Sequence, residues 1–81
     1  MEEWYVYILE CADSTLYVGT TNDIEKRVIK HNTGKGAKYT RGRGPVKVIY
    51  SRCFESRSEA CAEEYTLKKY SRSEKLALIQ N

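Results

Sequence analysis

Two segments near the N-terminus are rich in the aromatic and β-branched residues that favour β-strands. They span residues 4–9 and 15–20, and the residues between them include Asp13 and Ser14, which favour a turn. Two strands joined by so short a turn form a β-hairpin, so the chain is predicted to begin with one. An odd number of loop residues places Tyr7 and Tyr17 on the same face of the hairpin, and an even number separates them. The sequence alone leaves this register open.

A helix is predicted directly after the hairpin. Asn22 can cap its first turn, and Glu25 follows three residues later, as in a capping box. The helix then continues to about Asn32 and stops near Gly34, because glycine tolerates the left-handed conformation in which many helices end. The glycine-rich segment of residues 33–44 is predicted to be an exposed loop.

The second half of the chain contains one more strand and two more helix starts. Residues 46–50, which follow Pro45, are predicted to form the third strand. A serine followed three residues later by a glutamate occurs at residues 56–59 and again at residues 71–74. These patterns predict a helix to about Tyr70 and a short final helix. The resulting order, ββαβαα, defines an α+β fold.

The length of the chain limits its organisation. An 81-residue chain has room for one small core, so residues 1–81 are predicted to form a single domain. No apolar run approaches the roughly 20 residues that a membrane-spanning helix requires, and the N-terminus does not resemble a signal peptide. We therefore expect a cytoplasmic protein with no membrane partner. The spacing of Cys11, Cys53 and Cys61 argues against a disulfide framework or a structural zinc site.

The charges are unevenly distributed along the chain. Residues 1–25 contain six acidic residues and no basic one, residues 26–54 contain nine basic residues and no acidic one, and residues 55–81 contain five of each. So dense a basic block is typical of a surface that binds a polyanion, and its glycines and tyrosine favour nucleic acid. A solvated basic face without a ligand is the alternative. The predicted nucleic-acid-binding residues are Lys30, Lys35, Lys38, Tyr39, Arg41 and Arg43.

One acidic residue lies on the apolar side of the second predicted helix. At about 100° per residue, Glu64 falls about 40° from Ala60 and about 60° from Leu67, inside the apolar arc. A carboxylate directed toward a core is unfavourable unless it is paired, hydrogen-bonded or bound to a metal. Two interpretations stay open. Glu64 forms an ion pair with Lys68 or a strand residue, or it is the single carboxylate ligand of a divalent cation such as Mg²⁺.

Four further residues have side chains suited to phosphate chemistry. Arg27 and His31 are one turn apart on the first predicted helix and share a face. A guanidinium can bind a phosphate through two hydrogen bonds, and a histidine can donate a hydrogen bond or transfer a proton. Tyr7 and Tyr17 can orient a water or a phosphate, although an ordinary pKa of about 10 makes them poor bases. Plain surface or core roles are the alternatives for all four.

These residues occur in an order that resembles the GIY-YIG nuclease superfamily. The order is Tyr-Val-Tyr at residues 5–7, Tyr-Val-Gly at residues 17–19, then Arg27, His31 and Glu64. Residues 31–41 and 58–76 resemble the small, stand-alone bacterial branch of that superfamily.

The resemblance implies a three-stranded antiparallel sheet flanked by helices. It also implies that the protein is an enzyme. The implied reaction is metal-dependent hydrolysis of a phosphodiester bond by one activated water. The catalytic positions that it assigns are Tyr7, Tyr17, Arg27, His31 and Glu64. In this assignment Arg27 binds the phosphate and Glu64 binds Mg²⁺ or Mn²⁺, while the choice of tyrosine as the general base stays open.

The chain departs from the superfamily pattern at several positions. Tyr5 stands where the superfamily name has glycine, and Val18 replaces isoleucine. Larger members have an asparagine farther along the chain than the glutamate; Leu76 stands at that position here, and the later asparagine is Asn81. Larger members also have a separate DNA-binding domain, and we expect none in a chain of this length. The resemblance therefore favours selectivity for DNA structure over DNA sequence.

Three functions follow from these observations. The first is a metal-dependent endonuclease that acts on DNA in preference to RNA, with a separate protein partner as a possible source of specificity. The second is a nucleic-acid-binding module of the same fold that does not cleave. The third is a protein-interaction domain, in which the acidic residues 1–25 of one copy pair with the basic residues 26–54 of another.

Overall fold

Three strands and three helices make up the fold. The computed structural model describes residues 3–35 and 42–79. The strands are β1 (Trp4–Glu10), β2 (Leu16–Thr21) and β3 (Lys47–Phe54). The helices are α1 (Ile24–Asn32), α2 (Arg57–Lys68) and α3 (Arg72–Ile79). The predicted order ββαβαα and the α+β class are confirmed.

The strands form one antiparallel sheet with β1 in the centre, in the order β2-β1-β3. Five residues, 11–15, connect β1 to β2, so the loop length is odd. Tyr7 pairs with Gly19, and Leu9 pairs with Tyr17. Because Tyr7 and Leu9 point to the same side of β1, Tyr7 and Tyr17 lie on one face of the sheet.

The helices cover both faces of the sheet. On one, which we call the α1 face, Val28 of α1 packs against a buried cluster that includes Tyr7 and Leu9. On the other, the α2 face, Ala60 and Leu67 of α2 pack against strand residues. The buried strand residues of the α2 face are Val6, Ile8 and Val18. The period-two alternation of the hairpin therefore divides its side chains between two small cores.

The helix starts follow two of the three predicted capping patterns. Ser56 Oγ accepts a hydrogen bond from the Glu59 amide at 3.2 Å, which begins α2. Ser71 Oγ accepts one from the Glu74 amide, also at 3.2 Å, before α3. In both cases the pattern alone located the start of the helix, because capping is a local interaction.

The predicted cap of α1 is wrong. Asp23, and not Asn22, has the extended backbone of an N-cap, and its Oδ1 accepts a hydrogen bond from the Lys26 amide at 3.1 Å. Both residue types cap helices well, so the sequence does not distinguish between the two neighbours. The Thr21 hydroxyl decides the matter, because it accepts a hydrogen bond from the Asp23 amide and holds Asp23 at the cap position.

Two predicted boundaries also differ from the structure. β3 extends to Phe54 instead of residue 50, because residues 51–54 pair with Trp4–Tyr7 of β1. Such long-range pairing outweighs the weak local preference of a polar segment. α2 ends at Lys68, two residues before the predicted end, and the Tyr70 amide bonds to the Leu67 carbonyl beyond it.

A single side chain joins the end of α1 to the beginning of β3. Asn32 Oδ1 accepts a hydrogen bond from the Val46 amide at 2.7 Å, and Asn32 Nδ2 donates to the Val46 carbonyl at 3.4 Å. After Asn32 the chain turns at Gly34, whose φ of +79° is in the left-handed region that favours glycine. The end of α1 is therefore held beside the sheet.

At Gly19 the Tyr7 ring of β1 lies against the backbone of β2 on the α1 face. A β-carbon added to Gly19 would lie 2.5 Å from Tyr7 Cζ and 3.0 Å from Tyr17 Cε2. Real β-carbons do not approach other atoms at such distances. The Tyr7 ring therefore occupies the space that any side chain at position 19 would need.

We predict that Gly19→Ala destabilises the protein by about 1–3 kcal/mol, because the buried Tyr7 ring must leave its position. Urea unfolding measures the change. Gly44→Ala is the matched control, because its β-carbon would meet Asn32 Oδ1 at an ordinary 3.7 Å. The control is expected to change the free energy of unfolding by less than about 0.5 kcal/mol. Equal losses in the two variants would contradict the steric explanation.

Candidate functional site

Three rings that the sequence analysis selected meet on the α1 face. The ring centroids of Tyr17 and His31 are 5.3 Å apart, those of Tyr7 and His31 6.2 Å, and those of Tyr7 and Tyr17 6.5 Å. Tyr7 Oη and His31 Nε2 form a hydrogen bond of 3.2 Å. Tyr7 and His31 are buried, and Tyr17 is half-buried. We call these three residues the aromatic cluster.

The aromatic cluster results from the hairpin register and the α1 position. Tyr7 and Tyr17 share a face because of the odd loop, and Gly19 lets the Tyr7 ring lie against β2. His31 reaches the rings from the last turn of α1, whose end Asn32 ties to β3.

The environment of Tyr7 and His31 favours the neutral form of each. Burial lowers the pKa of His31, and the charge of Arg27 lowers it further. Burial raises the pKa of Tyr7 well above its ordinary value; Tyr17 and Glu64 raise it further, while Arg27 opposes them. A neutral phenol and a neutral imidazole thus share one hydrogen bond. Either Tyr7 Oη or His31 Nε2 can donate this hydrogen bond, depending on the imidazole tautomer, and neither arrangement creates a charge.

Arg27 lies one turn before His31 on α1 and is half-buried. Within residues 3–35 and 42–79 its guanidinium forms no hydrogen bond or ion pair. It lines a surface cavity of about 150 Å³ together with Thr21, Asn22, Asp23, Lys26 and Lys30. A half-buried guanidinium beside two further cations is a suitable site for a phosphate group.

Glu64 lies on the α2 face, and both of its oxygens have partners. Oε1 accepts a hydrogen bond from the Thr20 hydroxyl, and Oε2 lies 2.8 Å from Lys68 Nζ. Burial tends to raise the pKa of the Glu64 carboxyl, but the hydrogen bonds from Lys68 and Thr20 outweigh it and lower that pKa. Both kinds of protein partner that the sequence allows for Glu64, Lys68 and a strand residue, are thus present.

The aromatic cluster and Glu64 belong to opposite faces of the sheet and approach each other at β2. β2 is an edge strand; Tyr17 points to the α1 face, and Thr20 points to the α2 face and holds Glu64. The two sides interact electrostatically. Glu64 contributes to the raised pKa of Tyr7, and Tyr17 adds to the effect of Glu64 in raising the pKa of Lys68. A substrate at this edge would meet groups from both faces.

The predicted nucleic-acid-binding residues have different environments. Lys30 and Lys35 are exposed. Arg43 Nη1 forms an ion pair of 2.5 Å with Asp13 in the hairpin loop, so part of its charge is offset within the protein. The other three predicted residues, Lys38, Tyr39 and Arg41, lie outside the residues that the structure describes.

Sequence reasoning missed two residues that shape this site. The strand pattern predicts no special role for Thr20. Thr20 lies two residues after Val18 and so shares the α2 face with it, which is the signal that identifies it as a partner for Glu64. Gly19 enters the sequence analysis only as the last residue of the Tyr-Val-Gly motif. Its steric role depends on the hairpin register, which the sequence did not decide.

A metal ion at this site would rely on few protein ligands. In the described part of the chain, no group of three or more His, Cys, Asp or Glu side chains could hold a metal ion together. Glu64 offers a carboxylate whose charge acts on Tyr7 of the aromatic cluster. Its side chain is 22% exposed, which leaves room for water, and Mg²⁺ usually keeps several waters beside one or two carboxylates. The residues therefore fit a cation of this kind.

The fold and site define a small α+β domain in which an aromatic cluster, a half-buried arginine and a carboxylate lie near one sheet edge. A family model described as the GIY-YIG catalytic domain matches residues 3–77. The chain belongs to the GIY-YIG family. Membership indicates nuclease chemistry and interaction with nucleic acid. Separately, none of the helices within residues 3–35 and 42–79 has the length and apolar character needed to cross a bilayer.

The chain is also similar to small proteins along nearly its whole length. A UPF0213 protein of Clostridium perfringens is 57% identical over 77 residues, which cover 95% of this chain and 83% of that protein. One of Oceanobacillus iheyensis is 57% identical over 79 residues, covering 98% and 92%. The resemblance to the small, stand-alone bacterial branch is thereby confirmed.

Two solution NMR structures are similar to the fold. A UPF0213 protein of Bacillus halodurans is 49% identical, with a TM-score of 0.62 over 96% of this chain and 83% of that chain. The protein EF2693 of E. faecalis is 40% identical, with a TM-score of 0.67 over 99% and 85%. The antiparallel sheet flanked by helices is thus shared with solved structures.

We predict that His31 makes the stability of the protein fall between about pH 7 and about pH 5. Its folded pKa is lowered, so near and below its unfolded value of about 6.5 the unfolded chain binds more protons than the folded chain. Stability therefore decreases as the pH falls through this range. Urea unfolding at both ends of this range measures the loss. Because His31 is the only histidine, His31→Gln should flatten the dependence. A slope that is unchanged in His31→Gln would refute this assignment.

Proposed function

We propose that this chain is a metal-dependent endonuclease that hydrolyses phosphodiester bonds in DNA. One observation supports the proposal above the others. The aromatic cluster, Arg27 and the Glu64 carboxylate converge on the edge strand β2 from opposite faces of the sheet. This set combines a phosphate-binding cation, a proton-transferring pair and an anion suited to a metal, which phosphodiester hydrolysis requires.

Glu64 would hold the cation, Mg²⁺ or Mn²⁺. Its Oε2 already binds a positive group, the ammonium of Lys68, and the Thr20 hydroxyl fixes the other oxygen. Lys68 has a 54% exposed side chain and can leave the carboxylate without disturbing the core. When bound, the cation would offset negative charge on the phosphate and lower the pKa of bound water.

Arg27 would bind the scissile phosphate. It is half-buried, so its guanidinium is partly desolvated before substrate arrives and interacts more strongly with an anion. Lys26 and Lys30 line the same cavity and would bind neighbouring phosphates. These contacts hold the strand across β2 and stabilise charge that develops in the transition state.

The Tyr7–His31 pair would accept the proton of the attacking water. Because its pKa is raised, Tyr7 stays a neutral phenol near neutral pH and little phenolate is present to act as a base. Its hydrogen bond to His31 offers another route. A neutral Nε2 can accept the Tyr7 proton while the Tyr7 oxygen accepts one from water. Tyr17 lies beside the Tyr7 and His31 rings and is more exposed than either. It would orient the water or replace Tyr7 as the base.

The substrate would be recognised by its shape. The basic residues near the site, Lys26, Arg27 and Lys30, suit phosphates, which hold nucleic acid without reading its sequence. Binding of this type weakens steeply with salt. We therefore propose DNA with branches, flaps, nicks or single strands as the substrate, with any sequence preference supplied by a protein partner.

A non-catalytic nucleic-acid-binding module is the second candidate function. One observation favours it: Lys68 and Thr20 already satisfy both oxygens of Glu64, so the fold needs no metal to stabilise that carboxylate. Leu76, at the position where larger members have an asparagine, also favours it. The same basic residues would then bind nucleic acid without cleavage.

We predict that Glu64→Gln lowers Mn²⁺-dependent nicking of DNA by at least about 100-fold, because glutamine keeps the shape and removes the charge. Labelled flap, single-stranded and duplex DNA are the substrates. Glu63→Gln is the matched control: Glu63 is adjacent, its side chain is 25% exposed, and it pairs with Arg52 at 3.6 Å. The control should retain nicking.

Other outcomes would reject the assignment. Nicking that survives Glu64→Gln indicates a contaminating nuclease or a different site. No nicking by the wild type with any of these substrates, combined with tight and salt-sensitive binding, selects the non-catalytic module.

We also predict that Lys68→Met strengthens Mn²⁺ binding by about two- to fivefold, because the cation no longer competes with an ion pair of up to about 1 kcal/mol. The free-Mn²⁺ signal in electron paramagnetic resonance reports binding without any substrate. Lys69→Met removes the neighbouring charge, which lies over the Tyr65 ring, and should leave the affinity nearly unchanged. Weaker binding by Lys68→Met would show that the cation binds elsewhere.

A further inference from the structure

One aromatic ring stands apart from all the others. Tyr65 is 66% exposed, whereas every other aromatic side chain in residues 3–35 and 42–79 is buried or half-buried. Tyr65 also directly follows Glu64 on α2. An exposed ring therefore lies one helix position from the carboxylate of the candidate site, about 100° around the axis of α2.

The surroundings of Tyr65 are cationic. Lys69 Nζ lies over the ring, 4.2 Å from its centroid, in a cation–π contact. Lys68, on the helix surface between Glu64 and Tyr65, adds a second ammonium. Cys61 is exposed one turn earlier and shares the face of Tyr65. We call Cys61, Tyr65, Lys68 and Lys69 the α2 platform.

The fold itself makes little use of the α2 platform. α2 packs on the sheet through Ala60 and Leu67, and Glu64 reaches β2 through Thr20. The Tyr65 ring contributes to neither contact. Covering a large exposed ring with a flat partner removes apolar surface from water and lowers the free energy.

We infer that the α2 platform binds an unpaired nucleobase beside the scissile phosphate; this inference rests on the proposed nuclease function. Lys69 covers one face of the Tyr65 ring, and the base stacks on the opposite face. Lys68, once released from Glu64, and Lys69 are placed to bind the adjacent phosphates.

The geometry explains a preference for DNA structure. A base inside a duplex is stacked on both sides and paired, so it cannot lie on the ring without leaving the helix. A base in a flap, a branch or a single strand has already left it. The α2 platform therefore gives selectivity without any hydrogen bond that reads a base.

Equilibrium binding of Tyr65→Ala and Tyr65→Phe tests this inference. Fluorescence anisotropy with flap, single-stranded and duplex DNA in the absence of metal separates binding from cleavage. Tyr65→Ala should weaken flap and single-strand binding by about five- to 100-fold and duplex binding by less than about twofold. Tyr65→Phe keeps the ring and should restore the affinity. The salt dependence should stay unchanged in Tyr65→Ala, because no charge is removed.

Cysteine alkylation locates the bound strand independently. Cys61 belongs to the α2 platform, while Cys53 is exposed on β3 and donates a hydrogen bond to Glu3. Flap DNA should slow iodoacetamide modification of Cys61, measured by mass spectrometry, and leave Cys53 unaffected. Unchanged modification of Cys61 in the bound state would overturn the inference.

The remaining outcomes separate this inference from the proposed function. If the wild type binds no DNA at low salt, both fail. If binding is intact and Tyr65→Ala has equal or no effect on all three DNAs, the α2 platform is rejected and the proposed function stands. If Tyr65→Ala instead dissociates a dimer detected by light scattering, the ring is a protein contact and the inference is overturned.

Discussion

The contact between the Tyr7 ring and the backbone of Gly19 underlies the rest of the structure. Because position 19 has no side chain, the ring can lie flat against β2 and bring its hydroxyl to His31. His31 in turn sets the rotation of α1 about its axis, which places Arg27 one turn earlier on the same side. The contact between Tyr7 and Gly19 thus links the register of β1 and β2 to the orientation of α1 and to the position of Arg27. Packing of this kind is sensitive to a single methyl group.

The sequence predicted the parts of the fold that depend on local interactions. Ser56 and Ser71 cap their helices as expected, because the bonds that define a cap lie within four residues. The choice between Asn22 and Asp23 failed because a residue of the preceding strand, Thr21, decides it. The hairpin register and the extension of β3 depend on pairing between distant residues, which composition does not encode.

The candidate site shows the same division. The helix angle of Glu64 singled it out from the sequence, but its partners on β2 and α2 required the structure. The two interpretations left open for Glu64 are also compatible. An ammonium and a divalent cation can occupy a carboxylate in turn, and the ion pair with Lys68 keeps the Glu64 carboxylate charged, as the proposed metal site requires.

The two hydrogen bonds between Asn32 and Val46 have a consequence for how such a domain can change. They bring together the two ends of the segment that separates α1 from β3, so the closure of that segment does not depend on its content. The entropic cost of a longer insertion grows only slowly with length. Segments of different length and charge can therefore be exchanged between positions 33 and 45 while His31 and Arg27 keep their places. The placement of the aromatic cluster and Arg27 is therefore independent of the composition of the segment that follows α1.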